Sequence, residues 1–117
     1  MPIPAADALV SLVATFVVAT VIYTVTLHLA ATFVLGDVSV MRAVLVGPVP
    51  AAIVVVVGPT ISFTVAAVLA ILADYAAISW SYELDRRLAA AVTLGHVVAS
   101  VLLVGSGLGL AQSLGVV

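Results

Sequence analysis

The chain has no cysteine, no lysine, a single tryptophan and a single glutamate, and only three positive charges in 117 residues: Arg42, Arg86 and Arg87. Each shortage removes a class of function. Without cysteine there is no disulfide, no thiolate metal site and no cysteine nucleophile. Without lysine there is no Schiff-base chemistry, a retinal chromophore included. Charged residues make up 7% of the chain and the formal net charge is −2, so no basic stripe is available and no nucleic-acid partner is expected. The only glutamate, Glu83, lies among the charges of SYELDRR, and no His-x₃-His pair occurs, so no protein metal site is expected.

What is present is apolar. Hydrophobic residues account for 66% of the chain and the mean hydropathy is +1.49, values of a membrane protein and not of a soluble domain. The pattern predicts an all-α fold, a four-transmembrane-helix bundle forming one domain over residues 1–117, with helices at about 5–35, 38–57, 60–80 and 86–113. Twenty-one helical residues rise about 31 Å, the thickness of a bilayer's hydrocarbon core. The opening MPIPAADALVSLV lacks a positive n-region and is expected to begin the first span, with Asp7 near the positive end of its dipole.

Punctuation sets the expected boundaries. Gly36-Asp37 reads as a turn. The second segment should be broken at Gly47-Pro48-Val49-Pro50, because proline lacks an N–H and its ring clashes with the carbonyl four residues back. A re-entrant hairpin is the competing arrangement for this segment. Gly58-Pro59 should end it, with Pro59 in the first turn of the third span. Trp80 and Tyr82 read as interface anchors, and Ser81 as the N-cap of the last helix. Arg42 and Arg86/Arg87 then fall on one side of the membrane. The positive-inside rule puts them in the cytoplasm and both termini outside, in a multi-pass protein of the cell membrane.

The third span carries the one full acid inside an apolar run, Asp74 in TISFTVAAVLAILADYAAISW. A carboxylate at that depth costs a few kcal/mol against lipid, so it should face protein. Ser62, Ala66, Ala70 and Asp74 share a stripe at i, i+4 spacing, where small side chains let another helix approach. Thr20, Thr24, His28 and Thr32 form a polar stripe on the first span, and Ala89, Thr93, His96 and Ser100 one on the fourth. Counted from the arginine side, His28 lies roughly 10 Å deep, Asp74 roughly 9 Å and His96 roughly 14 Å. The three stripes are therefore expected to converge on one polar cluster, with Tyr75, Thr24 and Thr93 beside it. Gly105 and Gly109 make a GxxxG, which suits either dimerisation or internal close packing.

Three functions fit such a cluster. It can fix which helices pack together in a structural or accessory protein, alone, as a homo-oligomer or within a larger membrane complex. It can serve a proton- or ion-coupled transporter or channel built on Asp74, since buried acids and histidines mark ion pathways. His28 and His96, the only histidines, can also ligate a haem b from two sides. No enzyme is expected: one membrane acid cannot supply an aspartyl dyad, and no serine has a histidine partner in sight.

The stretches RAVLVGPVPA, ILADYAAI and AAAVTLGHVVASVLL resemble small integral membrane proteins of halophilic archaea, to which a lysine-free, acidic, Ala/Val-rich chain is suited. The resemblance covers most of the chain after Arg42. It implies four spans and a halophilic source, with membrane lipids as the surroundings, and no assigned activity.

Overall fold

A computed structural model describes residues 5–116. Among these residues all regular structure is helical: α1 (Ala5–Leu35), α2 (Val40–Val46), α3 (Pro48–Thr60), α4 (Phe63–Tyr82) and α5 (Arg86–Ser113). Taken with α2 and α3 as one broken span over Val40–Thr60, four helices are long and apolar enough to cross a membrane. α1 packs along α5 and α3 along α4, with α1 also meeting α3. Most large apolar side chains point outward, Phe33 being 92% exposed and Trp80 72%, as a surface solvated by lipid requires.

The second span breaks where its prolines put the break. Gly47 stays in the right-handed helical region and its N–H still reaches the Ala43 carbonyl at 2.8 Å. Pro48 and Pro50 cannot donate, so the Val44 and Val46 carbonyls lose their intrahelical partners. The chain bends there and runs on as α3 without a hairpin turn. Glycine is needed at the bend because Thr24 and the Thr20 carbonyl of α1 lie against it, where a Cβ would stand.

Helix ends differ from the sequence expectation in three places. Gly58 and Pro59 do not end the second span; the helix runs on to Thr60 and the turn falls at Ile61 and Ser62. The Phe63 ring folds over Gly58, where a Cβ would come within 2.6 Å of it, and this contact sets the turn. Ser62 is consequently the N-cap of α4, its Oγ accepting from the Val65 N–H at 3.0 Å, and not part of an interior small-residue stripe. At the other end, α4 continues through Ser81 to Tyr82 and stops on Glu83 in the left-handed region (φ 54°). Asp85, not Ser81, caps α5 by accepting from the Leu88 N–H at 2.9 Å. Tyr82 is buried and anchors no interface.

A tight core occupies the arginine-bearing end. Leu27 and Ala31 of α1, Ala43 and Val46 of α2, Ile78 and Tyr82 of α4, and Val92 of α5 form one buried cluster, closed over by Leu35, Val38 and Leu84. Arg42 Nη1 donates to the Ser81 carbonyl and Ser81 Oγ donates to the Arg42 carbonyl at 2.9 Å, fastening α2 to α4 beside it. Among the described residues Arg42 makes no ion pair with Glu83 or Asp85.

Candidate functional site

Asp74 lies near the middle of α4, roughly 16 Å from its Phe63 end and about 12 Å from its Tyr82 end at 1.5 Å per residue. It is 3% exposed, and His96 of α5 is 2% exposed. His96 Nδ1 and Asp74 Oδ2 are 2.5 Å apart, the one side-chain ion pair among the described residues. That separation is shorter than the roughly 2.7–2.9 Å usual for a charge-assisted N–H···O hydrogen bond. With Asp74 ionised, the bond assigns the Nδ1 proton to the imidazole as donor, whether Nε2 also carries one or not. The ring of Tyr23, from α1, meets the imidazole edge-on, with centroids 5.8 Å apart and planes at 85°.

The pair is only half satisfied. Asp74 Oδ1 and His96 Nε2 are both buried and neither has a hydrogen-bond partner in the protein. Such atoms cost about 1–3 kcal/mol each when left unmet, and more for a charged group.

The pair also marks a boundary. On its arginine side lies the tight core. On its other side lies a cavity of about 320 Å³, bordered by Asp74 and His96 and walled by Pro50 and Val54 of α3, Phe63 to Ile71 of α4, Val97 to Val101 of α5, and Tyr23. Every wall residue other than the pair sits farther from the arginines along its own helix than the core residues do. Tyr23, Ser100 and Val101 also line a groove of about 540 Å³ between α1 and α5, which passes Val104, Gly105 and Leu108. The pair is therefore placed between a buried apolar cluster and an open, largely apolar cavity.

A model described as a family of unknown function (DUF7473) matches residues 6–115. The chain belongs to this family. The match spans all four membrane-length helices and both members of the Asp74–His96 pair. No curated protein and no solved structure matches the DUF7473 chain.

The residues singled out by the sequence of this DUF7473 chain are distributed as follows. Asp74 and His96 meet. His28 bonds neither: its Nδ1 is buried without a partner and it does not border the cavity. Thr24, one turn before it, packs on Gly47, so this stripe of α1 faces the bend between α2 and α3. Thr93 is buried, but its hydroxyl is spent on the Ala89 carbonyl at 2.7 Å. Tyr75 is half-buried and off the cavity wall. Ala66 and Ala70 are buried inside the bundle, Ala70 on the cavity wall. Gly105 and Gly109 are exposed, with nothing in the chain within 4 Å of a Cβ built on either. For haem, His96 offers Nε2 beside the cavity, whereas His28 is on a different face of α1 from the one that supplies Tyr23.

Two polar contacts escaped the sequence reading. Thr26 Oγ1 and Ser100 Oγ are 3.1 Å apart, joining α1 to α5, and Gly95 admits Ala30 beside them at 3.3 Å from a built Cβ. The signal was there in the spacing of Ala19, Tyr23, Thr26 and Ala30, a second stripe of small and polar residues on α1. The other is the Arg42–Ser81 exchange, which no periodicity announces.

Proposed function

We propose that this chain is a small, non-enzymatic, multi-pass protein of the cell membrane that takes up and passes a proton at the Asp74–His96 pair. The single observation behind it is the pair with two unmet polar atoms, Asp74 Oδ1 and His96 Nε2, lying between a cavity and the buried apolar cluster. A pair kept only to hold α4 on α5 gains little from this arrangement, since apolar side chains of the same volume join helices without leaving buried atoms unbonded. A site that exchanges protons requires free valence on a carboxylate or an imidazole, and membrane acids and histidines are common proton carriers. The side chains beside Asp74 are His96 from α5, which bonds it, and Tyr23 from α1, whose ring meets the imidazole and which borders the same cavity. In this reading Arg42, Arg86 and Arg87 face the cytoplasm, both termini lie outside, and the cavity belongs to the outer half. The reading needs no cofactor and no metal. Lipid is the partner of the outward apolar faces.

A structural or accessory role is the second reading, favoured by the burial of Oδ1 and Nε2, which solvent does not touch. Proteoliposomes separate the two. Vesicles carrying the purified chain and an internal pH dye should collapse an imposed pH gradient faster than empty vesicles. Asp74→Asn should return the rate to that of empty vesicles while the variant stays monodisperse in detergent. A parent protein no faster than empty vesicles would defeat the proton reading and leave the structural one.

A further inference from the structure

We propose that the cavity beside the Asp74–His96 pair is a binding site for one hydrocarbon chain of a membrane lipid. The inference goes beyond the proton reading and stands whether or not the pair passes protons.

α4 and α5 meet at Asp74 and His96, and away from the arginines the space between them widens into the cavity of about 320 Å³. Along α4 it runs from Asp74 to Phe63, about 12 Å to about 28 Å from the Tyr82 end, within the hydrocarbon depth of a bilayer. Its volume is at the lower end of the roughly 300–1,000 Å³ of small-molecule sites. Its body is apolar, with Val54, Phe63, Ile71, Val97 and Val101 in the wall. Phe63 is 67% exposed, Val101 65% and Ile71 41%, so the rim belongs to the surface that meets lipid.

The occupant follows by elimination. A buried water needs two to four polar partners, and apolar cavities stay dry. Here Ser100 Oγ is engaged with Thr26 Oγ1 at 3.1 Å and Asp74 Oδ2 with His96 Nδ1, while the two unbonded atoms of the pair are buried away from solvent. Tyr23 adds one hydroxyl, which is too few. An ion fits no better, because the pair joins opposite charges when ionised and draws in neither sign. A helix from a second copy is too thick: one turn roughly 10 Å across and 5.4 Å tall occupies about 420 Å³, more than the whole cavity. A hydrocarbon chain meets every condition. It is thin and uncharged, needs no hydrogen bond, and is the solvent at this depth. Seated there, it restores the dispersion contacts that wall atoms lose beside a void. The adjoining groove shares Tyr23, Ser100 and Val101 with the cavity and follows α5 to Leu108, the course of a lipid from depth towards its headgroup. The seated chain covers the cavity side of Asp74–His96. Where the pair passes protons, the chain is its plug.

The test uses the full chain in phosphatidylcholine vesicles that include a phosphatidylcholine with a photoactivatable diazirine at the end of one acyl chain. After illumination, mass spectrometry of the digested protein locates the adducts. Adducts on Ile71 and Val97 should exceed those on Leu102 about fivefold. Leu102 is 63% exposed next to Val101 but borders neither the cavity nor the groove. Ala67→Phe, at an exposed position of the wall, and Ala70→Leu, at a buried one, each narrow the cavity. Either should remove the excess and leave Leu102 labelled as in the parent. Ile71 and Val97 labelled no more than Leu102 in the parent overturns the site, since water, a second copy or ordinary surface lipid then accounts for the space. An excess that survives both substitutions overturns it as well. A parent without proton flux defeats the proton reading alone, because the adducts are read without it.

Discussion

Arg42 and Ser81 bond each other in both directions, guanidinium to carbonyl and hydroxyl to carbonyl, across the interface of α2 and α4. Arg42 therefore has a structural task at the end of the bundle besides any part it takes in orientation. Arg42→Ala should cost about 2 kcal/mol and Ser81→Ala about 1 kcal/mol, the usual worth of a charged and a neutral hydrogen bond. Unfolding in mixed micelles checks both. A double variant whose loss equals the sum of the two single losses would show that the contacts are independent; a smaller loss is expected, since the pair acts as one clasp.

Gly47 is the tightest point between the first and second spans. Gly47→Ala should destabilise by about 1–3 kcal/mol, as overpacking does, because the new methyl meets Thr24 and the Thr20 carbonyl. Adding Thr24→Ala should recover part of that loss. By contrast, Gly105→Ala and Gly109→Ala should leave stability within about 0.5 kcal/mol, since open space surrounds both. Thermal melts of the single and double variants decide the matter.

Glu83 sits at φ 54°, where a side chain strains the backbone and glycine does not. It ends α4, and the Leu84 N–H closes the turn on the Ser79 carbonyl at 3.2 Å. Glu83→Gly should stabilise by about 1 kcal/mol, and Glu83→Val should destabilise. An unchanged melting temperature in both would mean that the turn relaxes in the bilayer.

Much of the fold is legible in the sequence. Four spans follow from the length and apolarity of the runs, and the bend follows from two prolines that cannot donate. Only the ends of the second and third spans fall two or three residues from their expected places. At the turns after Thr60 and Tyr82 the features are local: an aromatic ring on Gly58 and a left-handed Glu83, neither with a periodic signature. The site was half readable. Counting residues gives depth and not azimuth, so His28, Asp74 and His96 came out at one level. The α1 helix in fact carries two polar faces, Tyr23–Thr26 towards α5 and Thr24 towards Gly47, and His28 is on the second. The pairing of Asp74 with His96 on adjacent helices needed only one shared face. The cavity beside it comes from side chains that fail to fill space, which a single sequence does not reveal.

Orientation is open to labelling because the chain has no cysteine of its own. Single cysteines at Asp37 and at Gln112, both exposed and at opposite ends of the bundle, should differ towards a membrane-impermeant maleimide on intact cells. Gln112→Cys should label directly and Asp37→Cys only after permeabilisation. The reverse pattern would place the arginines outside and break the positive-inside assignment.

The most direct measurement on the Asp74–His96 pair is the infrared difference spectrum of the protein in lipid as the external pH is lowered. The account predicts a protonated-carboxyl band that grows on acidification, shifts in deuterated water as the pair exchanges its proton, and vanishes in Asp74→Asn. A spectrum without that band at any pH, or a band untouched by Asp74→Asn, would contradict a working proton site and reduce the pair to a strut between α4 and α5.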